Sequence, residues 1–330
     1  MIKNSQITTQ RSPIADMDCS FRSYMTHRKA ENARHIIGND IPTYAYGMDY
    51  ELRKKLDAIP GLHNLATKIY VSLATSALQD LNRTAVAVTP TQFPDVYDIG
   101  CECARRLGMA VPNIFISSNP IINAFAYCCD DVQPVIEVTS SMYERFTTDE
   151  LKAIIGHECG HIQNNHVVYN KIANMITNIG INGIGMQFPA LYSILSESTV
   201  IAMAAWSRAA ETTSDRAGMI CADTPEIAYV ADAKLAYGAT FKEHEIDFDA
   251  LEDQLKLQMG NIVKLNEIRD KHPSTVRRIM AEKEFAQCSV FYDWRPDLKK
   301  PDMVLRSKEE CDERCKSYIS IMSNKGAGDK

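Results

Sequence analysis

The 330-residue sequence has no basic excess: 36 Lys and Arg face 42 Asp and Glu, for a formal net charge of −6. No nucleic-acid partner is expected, because phosphate binding needs clustered Lys and Arg in excess. The imbalance is also too small for an acidic solvating tail. The N-terminus, MIKNSQITTQRSPIADMD, lacks the apolar run of roughly 7–15 residues that a signal peptide requires, so the expected location is cytoplasmic. Ten cysteines in 330 residues are too few for a small secreted framework. Their spacing (Cys101/Cys103, Cys128/Cys129, Cys311/Cys315) does not form one either, which points to free thiols in a reducing compartment. Internal repeats are absent as well. What is present, 45% hydrophobic and 24% charged residues, is the composition of a folded protein with a sizeable core.

One stretch, Ile172 to Ser196, carries no charged residue and exceeds the roughly 20 residues a membrane helix needs. Asn174, Asn178, Asn182 and Gln187 are spread along it, with Gly180, Gly183, Gly185 and Pro189. Side-chain amides are costly in hydrocarbon, so the expectation is a buried or cleft-lining segment, with membrane-surface contact as the minor alternative.

Residues 1–50 show no clear period and read as an N-terminal extension. Helical spacing begins near Leu52, ends at Pro60, and resumes after Gly61 through Leu65, Ile69, Leu73 and Leu78. A further helix is expected from Pro94 to Gly108, a residue suited to a C-terminal cap. Strands are expected at Asn113–Ser117 and Val135–Thr139, separated by turn residues and the run AFAYCCDD. Thr147-Thr148-Asp149-Glu150 is a capping box, and Leu151, Ile154, Ile155, Glu158 and Ile162 continue from it at helical spacing. Helices are also expected over Thr199–Cys221, Pro225–Tyr237, Phe248–Ile268, and from His272-Pro273-Ser274 through Ile279 to Phe285. After that SVFYDW and a charged tail lose any period, giving a division into an extension (1–50), a main domain (51–287) and a tail (288–330).

Chemistry concentrates at His157-Glu158-Cys159-Gly160-His161, an H-E-x-x-H match on the capped helix. Four residues of helix bring two imidazoles to one face, where they can hold a single zinc ion. Glu158 then lies beside the ion, placed to take a proton from water. Two histidines at this spacing also occur by chance. A catalytic zinc needs a third protein ligand. Glu211, in WSRAAETTSDRAG, is the candidate, with Asp215 one turn on to orient a ligand histidine. Spacing alone leaves open a solvated face where Arg208, Glu211, Asp215 and Arg216 trade exposed ion pairs. His166, five residues past His161, is expected on a different face, and His27, His35, His63 and His244 have no partner pattern. Cys101 and Cys103 lack a second pair at metal-finger spacing and read as two thiols on a helix.

Four segments in order, SSNPIINAFAY, TTDELKAIIGHECGHIQNNH, RAAETTSDRAG and KHPSTVRRI, resemble the HtpX-like zinc metallopeptidases, a family that includes the CAAX prenyl endopeptidases. The resemblance runs from about Leu56 to Phe285. It implies an α+β, mostly α, zincin-like domain with a small sheet flanking the active-site cleft, and a gluzincin site holding one Zn²⁺ per chain. By that resemblance His157, His161 and Glu211 are the metal ligands, Glu158 is the general base, and Asp215 and Arg277 support the site from behind. His272 steadies the oxyanion. Asn123, Ala124 and Phe125 belong to an edge strand along which a protein or peptide substrate would pair. The membrane members carry a pair of transmembrane helices between the second histidine and the third ligand, where this chain has only the amide-rich stretch, so prenyl-protein processing is not implied. Cys159 is an unusual filler and is expected to be a small core residue. The expected function is zinc-dependent peptide hydrolysis. The alternative is a catalytically silent zinc-holding regulator or scaffold of the same fold, and the sequence leaves the oligomeric state unassigned.

Overall fold

Local signals in the chain place most of the elements that hold the site. The computed structural model describes residues 36–37, 41–129, 132–238, 247–250, 253 and 274–320. Strands β1 (Ile36–Ile37) and β2 (Ile41–Pro42) form a small antiparallel pair. Helix α1 (Gly47–Asp57) follows, and Gly61, at φ 78°, opens α2 (Leu62–Thr84), which buries Leu62, Ala66, Ile69, Ala74 and Leu81 along one stripe. After β3 (Val86–Ala87), helix α3 (Pro94–Leu107) starts on its proline and stops at Gly108, whose φ of 61° is a left-handed cap.

Strands β4 (Asn113–Ser117), β5 (Ala124–Cys129) and β6 (Val132–Thr139) complete a four-stranded sheet in the order β3-β4-β6-β5. Strand β4 pairs parallel with β6, and β5 runs antiparallel at the end of the sheet with Phe125 opposite Glu137. The run AFAYCCDD, which by its pattern reads as a connection and by the resemblance begins in an edge strand, is mostly strand.

Helix α4 (Ser140–Arg145) leads into α5 (Thr148–Gln163), where both halves of the capping box form: Thr147 Oγ1 accepts from the Glu150 amide at 3.3 Å, and Glu150 accepts from the Thr147 amide at 2.9 Å. The uncharged stretch folds into α6 (Val167–Gln187), kinked at Gly180, and the short α7 (Pro189–Tyr192). Ile172, Ala173, Ile184 and Leu191 are buried while Ile179, Met186 and Tyr192 are exposed, so only part of the stretch is interior. No described helix is long and apolar enough to cross a membrane. Helix α8 (Glu197–Cys221) is capped by Ser196 and is buried almost throughout; α9 (Pro225–Tyr237) follows.

Helices α5 and α8 cross at close range because small residues line the contact. A Cβ on Gly160 would stand 2.7 Å from the Ala217 Cβ, and one on Gly218 would stand 2.9 Å from the Ala153 carbonyl oxygen, so neither position accepts alanine without movement. This crossing brings the H-E-x-x-H helix against the Glu211 helix.

The expected division of the chain needs two corrections. Residues 41–50, assigned to an extension, belong to the folded body: Tyr44 and Tyr46 are buried and α1 begins at Gly47. The tail is likewise part of it. Helix α10 (Thr275–Phe285) is followed by α11 (Ser289–Trp294) and α12 (Lys308–Ile319), the last opened by a Ser307/Glu310 capping box. Cys311, Cys315 and Ile319 form a buried i, i+4, i+8 stripe that contains only one aliphatic residue. The helix expected over Phe248–Ile268 lies, after its first residues, outside the described residues.

Candidate active site

Helix α5 presents His157 and His161 on one face, and α8 brings Glu211 against them. His157 Nε2 lies 3.7 Å from Glu211 Oε2, and His161 Nε2 lies 3.6 Å from Glu211 Oε1. The three residues form the one cluster of its kind among those described, with donor atoms within 4.8 Å of one another. Ligands about 2.1 Å from a tetrahedral ion stand roughly 3.4 Å apart, so these separations suit a His, His, Glu ligand set closing on a metal.

The outward-facing ring nitrogens are engaged by other side chains, which leaves both Nε2 atoms to face inward. His157 Nδ1 lies 2.9 Å from Asp215 Oδ1. Burial alone would pull the His157 pKa down, but the hydrogen bond and charge of Asp215, aided by Glu211, raise it to about 9 without a metal. His161 Nδ1 is 3.0 Å from Ser214 Oγ, 3.1 Å from His166 Nδ1 and 3.4 Å from the Asn170 side chain.

Glu158 is buried beside this cluster. Burial raises its carboxyl to about 7, opposed by the His157 charge, reinforced by Glu211, and opposed again by a hydrogen bond from the Ala126 backbone N–H. That last contact ties Glu158 to end strand β5, so the group able to move a proton sits where an extended chain could lie. Cys159 is fully buried and faces the core.

Behind the cluster, Asp215 is doubly held. Arg278 Nε donates to its Oδ2 at 3.0 Å, and Arg278 Nη2 donates to its Oδ1. Burial would raise the Asp215 carboxyl, but Arg278 and His157 together hold it below the ordinary carboxylate range. Arg278 Nη2 also lies 2.9 Å from Asp232 Oδ2. Burial leaves the Asp232 carboxyl raised, at about 6, despite this partner. Glu282, close by, is pushed well above the carboxylate range, first by burial and then by Asp232 and Asp215.

The structure adds Arg278 to the residues behind the site; the support that Arg277 was expected to give beside His272 involves a residue outside those described. Arg277 Nη1 donates to the Tyr318 carbonyl on α12 at 2.8 Å, and the next residue, Arg278, faces the site. Successive helical residues point about 100° apart, so the two arginines leave the helix in different directions. His272 lies outside the described residues. Asn123 lies one residue before β5; its Oδ1 accepts from the Ala124 amide at 3.0 Å, Ala124 is buried, and Phe125 is 38% exposed.

The expectation that His166 would face away also fails. Helix α5 ends in a Schellman turn: Asn165 is left-handed at φ 55°, and the His166 amide donates to the His161 carbonyl at 3.0 Å. The reversal carries His166 back beside His161, where helical extrapolation does not apply. Asn-Asn after the last helical residue is the signal that could have predicted it.

Residues 90–286 match the family model described as Peptidase family M48. Over 218 residues, 66% of this chain and 62% of the relative, the sequence is 28% identical to the plastoglobule-localized metallopeptidase 48, chloroplastic, of Arabidopsis thaliana. It is 35% identical to protease HtpX homolog 1 of Sulfurisphaera tokodaii over 30% of this chain and 32% of that one. Against the protease HtpX homolog of Helicobacter pylori it is 38% identical over 21% and 22% of the two chains. The matched region thus spans less than two thirds of each of these relatives. No solved structure matches the chain.

Proposed function

Because the chain belongs to peptidase family M48, we propose that it is a zinc-dependent peptidase, holding one Zn²⁺ on His157, His161 and Glu211 and hydrolysing peptide bonds in protein or peptide substrates. The observation that carries this reading is the convergence of those three side chains with Glu158 buried alongside and tied to strand β5. When bound, the zinc ion supplies Lewis acidity toward water and the scissile carbonyl. Glu158 takes a proton from the attacking water and, once protonated, returns it to the departing nitrogen. One carboxyl can do both, because the proton that it accepts from water is the one that it hands on. Asp215, held by Arg278, fixes the His157 ring through Nδ1. An extended substrate pairs along the side of β5 that faces away from β6, where no described strand pairs, passing Phe125 and Ala126.

The test is digestion of denatured casein or a peptide library by the wild type, the Glu158→Gln variant and a chelator-treated control, with metal analysis of each. One zinc per chain in both proteins, and cleavage only by the wild type, is the expected result. Equal cleavage by both overturns the role of Glu158. Stoichiometric zinc with no cleavage by the wild type favours a regulator or scaffold of the same fold.

A further inference from the structure

A chain of buried polar groups reaches His161 from the N-terminal helix. Asp49, on α1, accepts from Trp206 Nε1 on Oδ1 at 2.9 Å and from Thr213 Oγ1 on Oδ2 at 2.8 Å. Its Oδ2 also lies 2.9 Å from His166 Nε2. His166 is fully buried, and its other nitrogen, Nδ1, lies 3.1 Å from His161 Nδ1. The N–H of Trp206 and the hydroxyl of Thr213, each on one of its oxygens, favour the ionised form of Asp49. A carboxylate accepts only, so His166 presents its N–H to Asp49 and leaves the Nδ1 lone pair toward His161. A neutral His161 that offers Nε2 to a metal carries its proton on Nδ1, aimed at that lone pair. The two rings therefore admit one mutually consistent pair of tautomers.

We propose that Asp49 and His166 are positioning residues: the carboxylate sets the His166 tautomer, and His166 in turn fixes the proton and ring plane of His161 for metal binding. This inference rests on the ligand set given above. It makes α1 part of the site's support, so that His161 is steadied through an imidazole and a carboxylate in series while His157 is steadied by Asp215 directly. Ser214 Oγ, 3.0 Å from His161 Nδ1 and 3.4 Å from His166 Nδ1, bridges the same gap and is the competing acceptor.

The direct test is nitrogen-15 NMR of the imidazole rings in the zinc-loaded full chain. His161 is expected to be protonated on Nδ1 and His166 on Nε2 alone; a proton on His166 Nδ1 overturns the proposal. Zinc release to a chromophoric chelator and the absorption spectrum of the cobalt-loaded protein give a second readout. His166→Phe is expected to weaken metal retention roughly 10–100-fold and alter the cobalt spectrum. His166→Gln, which can both donate and accept, is expected to restore most of the loss, and Ser214→Ala to change retention less than His166→Phe does. Should His166→Phe not fold, the His166→Gln variant and the wild-type tautomers decide the matter. A folded His166→Phe protein with wild-type retention and spectrum refutes the proposal. If the wild-type His157 and His161 nitrogens do not respond to zinc at all, it is the ligand set that fails.

Discussion

Replacing Arg278 by methionine removes one side chain that serves two buried acids. Arg278 meets both oxygens of Asp215 and lies 2.9 Å from Asp232, with side-chain exposures of only 11%, 2% and 7% for the three residues. Methionine keeps the length and apolar stem but none of the charge. Asp232, already at about 6, escapes cheaply by taking a proton. Asp215 does not, because in the metal-loaded protein His157 is neutral and leaves it a charge with a single hydrogen-bonded partner. Removing one member of a buried pair costs about 3–5 kcal/mol, and the larger share should fall on Asp215. The assay is urea unfolding at pH 7 of the wild type, Arg278→Met, Asp215→Asn and the double variant. The double variant removes both charges, so it is expected to be at least 1 kcal/mol more stable than Arg278→Met alone, roughly the scale of coupling between contacting residues. Arg278→Met within about 1 kcal/mol of wild type, or a double variant no better than the single, would refute the claim that Asp215 depends on Arg278.

Other consequences can be checked separately. Glu211→Gln should lose the metal while the chain stays folded, measured by metal analysis after gel filtration; stoichiometric zinc would remove Glu211 from the ligands. In the metal-free protein, Glu158 has a folded-state pKa of about 7, raised from 4.5. A raised carboxyl contributes stability below its unfolded value that is lost as pH rises through the folded one. Relative to Glu158→Gln, the wild type should therefore lose about 3 kcal/mol between pH 4.5 and 7 and then level off. A stability difference that is flat with pH, in urea melts at pH 5 and 8, would contradict this. Gly160→Ala places a methyl 2.7 Å from the Ala217 Cβ and should cost about 1–3 kcal/mol, with weaker metal retention because α5 must move from α8; an unchanged melting temperature would show that the crossing has room.

Much of the framework was legible because its signals are local. The Thr147/Glu150 box, the Pro94 start, the Gly108 stop and the β4 residues each depend on neighbours within a turn or a strand, and the structure places them as expected. Helix α12 escaped because its apolar stripe is made of two cysteines and one isoleucine, and β5 was indicated only by the family resemblance because AFAYCCDD carries no alternation.

The sequence by itself determined that two imidazoles stand on one helix face with a carboxylate beside them, since four residues of α-helix bring side chains to one face whatever surrounds them. It pointed to Asp215 as the partner of one ligand histidine, but not to what holds Asp215 or the second imidazole. The pairing of Arg278 with Asp215, 63 residues away, depends on how α10 lies against α8. The reach of Asp49 to His166, across 117 residues, depends on a left-handed Asn165 and on where α1 packs. Such contacts form between elements with no periodicity in common, so only the packing of the whole chain could select them.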